Sequence, residues 1–266
     1  MSYDLTPGED LRQILDAADA MLATHYPVAR LREGAGDDLA PLEEFGAFAL
    51  ALPEADGGAG FTLVDEAQLH VALGRHLVSP RALATALARR IDGQATACAG
   101  VVDGADWLAL DPGGAETILV RTKDGLVLSA LGQAKQVESL GHGLRLARVA
   151  PGADNRRADE TMLGVARLLT SAQLLGVAMG AADLAVDYAK TREQFGRPIG
   201  SFQAIKHHAA DMAMGVEQVS ALIDMAAIAL RDGHDDVRFQ LAALARLAPR
   251  VALANARTGI QIHGGI

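Results

Sequence analysis

Cysteine is nearly absent: the 266 residues contain one, Cys98. An internal disulfide and a cysteine-based zinc site are thereby excluded, and the usage fits a reducing compartment, so a cytoplasmic location is expected. Cys98 itself reads as a small core residue. Positive charge is also scarce. Lys and Arg number 24 against 33 Asp and Glu, a net charge of −9, and no basic cluster is present that could grip a phosphate backbone, so nucleic acid is not expected as a partner. The N-terminus, MSYDLTPGEDLRQ, is acidic and polar where a signal peptide would be basic and then apolar. No run reaches about 18 uninterrupted apolar residues, so neither a leader nor a membrane partner is expected. What the chain does have is apolar content, half of its residues. That is enough to bury a large core in one to three domains.

The apolar residues are arranged in three grammars. Residues 1–93 are expected to form an N-terminal helical domain: Leu11, Ile14, Leu15, Ala18, Met21 and Leu22 recur at three- and four-residue spacing, and Val64 to Leu77 repeats the pattern. Between them Pro53-Glu54-Ala55-Asp56-Gly57-Gly58-Ala59-Gly60 is too rich in glycine for a helix and reads as a tight surface or site loop. Residues 94–157 switch to short runs, WLAL, TILVR, LVLSAL and LRLARV, divided by turn residues, with Lys123-Asp124-Gly125 as a hairpin turn. A small β domain follows from this, with the polar stretch Pro151 to Arg157 leaving the sheet. Residues 158–266 return to helix, at roughly 161–191, 202–232 and 236–260. The first of these is apolar on nearly every face, as in a helix buried inside a bundle or an oligomer. Three helices alone do not cover it, so an oligomer is expected. Ser201 is placed to cap the second helix and Gly233 to end it, while Pro249 should kink or restart the third.

The stretch TREQFGRPIGSFQAIKHHAADM, residues 191–212, interrupts this helical sequence. Burial alone does not require a break that carries Arg192, Gln194 and Phe195. It is either a sharp turn between antiparallel helices or a device that presents those side chains. Arg192 could serve only as a helix-end cation, and Phe195 could simply plug the turn. His207 and His208, adjacent on a helix, face different directions, so no metal site is expected. His142 and His263 read as hydrogen-bonded or exposed groups.

Three local matches resemble the acyl-CoA dehydrogenase family, in order and across almost the whole chain. Leu52-Pro53-Glu54 with Gly57-Gly58-Ala59-Gly60, followed by Leu73-Gly74-Arg75, is similar to the family's Pro-Glu-x-x-Gly-Gly loop and the Leu-Gly-Arg helix after it. The break resembles its Arg-x-x-Phe-Gly-x-Pro-Ile-x-x-Phe-Gln segment, with Gln203 at the matching distance from Arg192. Gln261-Ile262-His263-Gly264-Gly265 is similar to the start of its Gln-x-x-Gly-Gly motif. The resemblance implies a mainly α fold with a small central β domain between an N-terminal helical domain and a C-terminal helical bundle. It also implies FAD shared between subunits: Arg192 at the pyrophosphate, Gln194, Phe195 and Gln203 lining the cofactor, and Gln261, Gly264 and Gly265 approaching the pyrophosphate from the other motif. A planar, permanently charged guanidinium suits phosphate oxygens. Glycines let backbone amides come close. Arg167, 25 residues before Arg192, matches an arginine at the acyl-thioester end of the pocket in some members, a substrate-binding role. An acyl-CoA substrate, a homo- or hetero-oligomer of acyl-CoA dehydrogenase-like subunits and an electron-transfer acceptor complete what the resemblance implies.

The chain also departs from that pattern. Desaturation of an acyl thioester at Cα–Cβ needs a carboxylate to take the α-proton and a flavin to take the β-hydride. The family's glutamate lies beyond the Gln-x-x-Gly-Gly motif, past Ile266 here, or just before the pocket arginine, where this chain has Ala166. No catalytic base is identified. The β domain is short, and residues 88–107 lack the family's flavin-covering segment; Trp107 is expected in a later strand. Three readings stand at this point. The chain is a flavin-dependent acyl-CoA dehydrogenase or subunit, catalytic once the sequence continues; or a non-catalytic partner that completes a neighbour's FAD site; or a flavin oxidase or monooxygenase on the same scaffold.

Overall fold

The computed structural model describes residues 8–34, 37–103, 107–122, 125–139, 145–158 and 160–264. Four helices come first: α1 Glu9–His25, α2 Ala40–Phe45, α3 Leu63–Arg75 and α4 Pro80–Ile91. The stripe expected on α1 turns inward, with Leu11, Ala18 and Leu22 buried. Thr62 and Asp65 form a reciprocal capping box at the start of α3, and Ser79 caps α4 with Pro80 at its first turn. The Gly-rich loop folds on itself. Gly58 N–H bonds Pro53 O at 3.0 Å, and a Cβ at Gly58 would sit 2.1 Å from the Leu52 carbonyl oxygen, so only glycine fits there.

Strands β1 Cys98–Asp103, β2 Leu108–Leu110, β3 Thr117–Thr122, β4 Gly125–Val137 and β5 Leu146–Ala158 close into a barrel in the order β1-β2-β5-β4-β3. The β1–β3 contact is parallel and the others antiparallel. Thr122 pairs with Gly125, which brackets the expected hairpin turn; Lys123 and Asp124 lie outside the described residues, as does His142. Two expectations need correction. The four apolar runs omit a fifth strand, β1, whose small residues Cys98 and Ala99 are fully buried. Pro151 to Arg157 does not leave the sheet: it continues β5 against β4 as far as the Leu126–Ala158 pair. Its polar residues belong to an exposed ribbon, with Asn155, Arg156 and Arg157 open to solvent, and Pro151 sits at a register irregularity where the ladder already lacks regular bonds. Trp107 precedes β2 rather than lying within it and packs on the buried barrel core.

The third part holds α5 Glu160–Thr191, α6 Gln203–Asp232 and α7 Val237–Ile262. Between α5 and α6 a two-residue ribbon, β6 Glu193–Gln194 with β7 Arg197–Pro198, makes the break. Gly233, at φ +67°, ends α6 as expected. Ser201 does not cap it. The helix starts at Gln203 behind Phe202, and Ser201 belongs to a short 3-10 turn. Pro249 neither ends nor restarts α7, which runs through it.

One core cluster joins α3, α4, the barrel and all three long helices. The apolar girth of α5 is therefore largely covered within the chain, by α3 as well as α6 and α7, with Leu184 near its far end left exposed, which corrects the argument that three helices leave it bare. The α3–α5 crossing is unusually close. A Cβ at Gly74 would lie 2.0 Å from the Gln173 carbonyl oxygen, and one at Gly176 would lie 2.0 Å from that of Val71. The Leu73-Gly74-Arg75 motif thus has a packing reason: Leu73 fills the core, Gly74 admits the neighbouring backbone, and Arg75 pairs with Asp183 of α5. Asn255 of α7 donates to Ala178 O at 3.1 Å and Met212 O at 3.2 Å, tying the three long helices together.

Candidate functional site

A cavity of about 750 Å³ opens where α3, α4, the barrel, α5 and α7 meet. Leu83, Leu87, Leu119, Leu126, Leu163 and Leu174 make much of its wall. Pro249 lines it as well. Having no N–H, this proline leaves the carbonyl four residues earlier, on cavity-lining Ala245, without its helical donor. On α5 the wall residues Leu163, Ala166, Arg167, Thr170, Gln173, Leu174 and Val177 recur at three and four, a single helix face. Ala166 and Arg167 are thus both in the cavity wall.

Most polar groups in this wall are already engaged. Asp37 accepts from Arg30 at 2.7 Å and from Ser79 N–H at 2.7 Å. Asp111 accepts from Arg145 Nε at 2.8 Å and from the Ser79 hydroxyl at 2.5 Å. Thr170 and Ser171 donate back to the carbonyls of Ala166 and Arg167. Arg121 and Arg167 are the two lining cations outside the ion pairs of the described residues. The lining carboxylates, Asp37 and Asp111, are both ion-paired, so neither is a free proton acceptor aimed at a ligand. Ala166 occupies the position where a glutamate would serve.

Behind Gln173 lies a buried polar group that no sequence pattern singles out. His70 of α3 is 1 % exposed, and its Nδ1 lies 3.2 Å from Gln173 Nε2. Burial, aided by the nearby Arg90 guanidinium, pushes the imidazole down to about 3, so it is neutral near pH 7. Arg90 pairs with buried Glu66, whose carboxyl is raised by desolvation. No periodicity distinguishes His70 or Gln173 from ordinary helix residues, and their pairing spans 103 positions of the chain.

The other expected residues gather elsewhere, at the far end of α5. Ala185, Ala189, Met212 and Ile262 form a small core cluster there, with Tyr188, Ile199 and Ile205 against it. Tyr188 stacks on His263 at 4.3 Å between ring centroids, and His263 Nδ1 is 2.8 Å from Gly259 O. This packing brings the end of α7 beside the break, so Arg192, Gln194, Phe195, Gln203, Gln261 and Gly264 share one end of the bundle and all are exposed. Gly265 lies outside the described residues. Phe195 is 92 % exposed, with φ +53°, a conformation that costs a bulky residue energy. Arg197 sits 4.2 Å over the Phe202 ring, and Phe195 meets that ring edge-on at 6.1 Å. None of these residues lines the cavity.

A long-helix bundle, a small barrel and an apolar cavity at their junction make up the architecture expected from the sequence motifs. Comparison with known proteins agrees. Residues 156–266 match the acyl-CoA dehydrogenase C-terminal domain. The acyl-CoA dehydrogenase IpdE2 of Mycobacterium tuberculosis is 33 % identical over an alignment covering 98 % of this chain and 87 % of that protein. Among solved structures, a variant of the Tcur3481–Tcur3483 steroid ACAD superposes with TM-score 0.83 at 25 % identity, covering 98 % of this chain and 88 % of that one. The ChsE4–ChsE5 complex of Mycobacterium tuberculosis gives 0.77 at 20 % identity, covering 99 % and 88 %, a likeness of fold. The chain belongs to the acyl-CoA dehydrogenase family: it is a flavin-dependent acyl-CoA dehydrogenase or a subunit of one.

Proposed function

We propose that this chain works as one subunit of a hetero-oligomeric, FAD-dependent acyl-CoA dehydrogenase. It takes an acyl-CoA into its own cavity and lends its exposed break to the FAD of a neighbouring subunit. The observation that carries the reading is the separation along α5. Arg192 lies 25 residues beyond Arg167, about 37 Å at 1.5 Å per residue, too far for both to act on one cavity of one chain. A break that ends in an unburied phenylalanine at positive φ is explained by a surface that covers it in the assembly. Exposed Leu184, Met214, Met225, Phe239, Leu253 and Ile260 on α5, α6 and α7 offer further apolar area for such contacts. The Tcur3481–Tcur3483 and ChsE4–ChsE5 assemblies, each named for two chains, favour a partner that differs from this one.

The residues present suit FAD at the break. Arg192 is exposed and outside the ion pairs of the described residues, so its fork is available to a diphosphate. Gly264, at φ +78° with nothing within 4 Å of a Cβ, keeps the backbone beside it approachable. FAD, when bound, supplies the acceptor for the hydride leaving Cβ. Within the chain's own cavity, Arg167 would hold and polarise the thioester end, and the leucine wall would exclude water from the acyl group. Ala166 takes no proton, and Asp37 and Asp111 are engaged, so the base comes from outside these wall residues. The same reading calls for an electron-transfer acceptor as a further partner.

The test is co-expression with acyl-CoA dehydrogenase-like partner chains, followed by FAD content and dye reduction across a panel of acyl-CoAs. A complex that retains FAD and turns over, while the separated 266-residue chain does neither, is the expected result. Steady turnover by the chain alone as a monomer overturns the proposal.

A further inference from the structure

Once the internally bonded groups are set aside, the cavity wall offers a ligand little polar chemistry. Asp37, Asp111 and Ser79 are held by Arg30, Arg145 and each other. The protons of Thr170 and Ser171 are committed to backbone carbonyls. Arg121 and Arg167 remain as cations, and Gln173 remains as the neutral group. One end of the Gln173 amide is on His70 Nδ1 at 3.2 Å. The other end, Gln173 Oε1, has no hydrogen-bond partner among the described residues, and Gln173 lines the cavity.

Gln173 is also held from two sides. Its backbone carbonyl oxygen is the atom against which Gly74 packs at the tight α3–α5 crossing, and its side-chain Nε2 is on His70. His70, one turn before Gly74, is neutral and fully enclosed, and its Nε2 has no partner among the described residues. A polar side chain fixed this way in a leucine-rich wall discriminates strongly between ligands. A ligand that satisfies it gains a hydrogen bond, and a bare hydrocarbon leaves the amide desolvated and unpaired.

We propose that Gln173, positioned by His70, is a specificity-determining residue of the cavity and selects acyl-CoAs that carry a hydroxyl group, able to donate to the free amide oxygen, on the acyl group over plain hydrocarbon chains. The selected oxygen lies deep of the thioester, since Gln173 is six residues beyond Arg167 on the same helix face, about 9 Å along the axis. The inference rests on the acyl-CoA reading of the cavity. The role of His70 is positional: it touches Gln173 and not the ligand.

The experiment uses the assembled, FAD-loaded complex and three probes: octanoyl-CoA, and octanoyl-CoA bearing either a hydroxyl or a keto group at the penultimate carbon. Binding is read by calorimetry, and KM and kcat by dye reduction. For the wild type, the hydroxyl probe should bind about tenfold or more tighter than octanoyl-CoA, whereas the keto probe, which has no proton to donate to the amide oxygen, should gain no such preference. Gln173→Leu should erase that preference, weakening the hydroxyl probe by about 10- to 100-fold and leaving or improving octanoyl-CoA. His70→Leu should erase it through Gln173, and His70→Asn, which restores a polar group near the Nδ1 position, should recover part of it. Thermal melts separate these outcomes from misfolding, because a folding defect weakens all three probes together. A wild type that prefers octanoyl-CoA, or a folded Gln173→Leu that keeps the preference, overturns this inference while sparing the acyl-CoA reading. If the wild-type complex binds none of the three, both fall.

Discussion

The two ends of α5 contrast sharply. At the Arg167 end the helix face is walled by α3, α4, the barrel and α7, and most polar side chains already have partners inside the chain. At the Arg192 end the same helix runs out into a ribbon whose arginine, glutamine and phenylalanine are exposed, with the end of α7 packed beside it. One end is finished by its own chain and the other is not. The difference teaches that an enclosed wall whose polar groups are mostly paired marks the cavity, whereas exposure combined with backbone strain marks the end that we propose meets a neighbour.

The most disruptive way to break this comparison is to force the helices apart at the finished end. Gly74→Val places a branched side chain where even a Cβ would meet the Gln173 carbonyl at 2.0 Å. A stability loss of about 3 kcal/mol or more is expected, with the cavity lost alongside it. Chemical denaturation measures it, and a near-neutral result would mean that the crossing is looser than described.

A smaller effect comes from pH. His70 stays neutral in the fold down to about 3, whereas in the unfolded chain it protonates near 6.5. The unfolded state therefore binds the proton first, so stability is present above the unfolded value and declines as pH falls from about 6.5 towards 3. The slope contributed is at most about 1.4 kcal/mol per pH unit. Denaturation curves across that window should be shallower in pH for His70→Leu than for the wild type. Equal slopes would remove His70 from the account.

At the unfinished end the expected effect on the isolated chain is the smallest. Phe195 supports little of the fold, so Phe195→Ala should change stability by less than about 0.5 kcal/mol, yet it should weaken FAD retention in the complex. A large destabilisation of the isolated chain would show that the residue is a structural plug after all.

Much of this architecture is legible in the sequence because its periods are clean. Switching from three-and-four spacing to short turn-bounded runs marks the barrel, and the three long helices begin and end within a few residues of where the pattern places them. What escapes has physical reasons. β1 opens on three small residues, Cys98, Ala99 and Gly100, which do not announce a strand, and the second half of β5 is polar because it forms an exposed ribbon. Pro249 is tolerated inside α7, where it borders the cavity. Arg167 is found by its distance from Arg192, and its presence in the cavity wall follows from the single face of α5. The His70–Gln173 pair is not legible, since two unremarkable helix positions become a site only through the glycine-permitted crossing of α3 and α5. Convergence from distant segments leaves no local signature.

The central claim, that the exposed end of α5 serves another subunit's FAD, is tested most directly by the FAD dissociation constant of the assembled complex built with wild-type chain and with Arg192→Ala. Loss of one charge-assisted contact to a diphosphate should weaken FAD about 10- to 150-fold, with the melting temperature of the isolated chain unmoved because Arg192 is exposed and supports no ion pair among the described residues. An unchanged FAD affinity in a complex that still assembles would contradict the account.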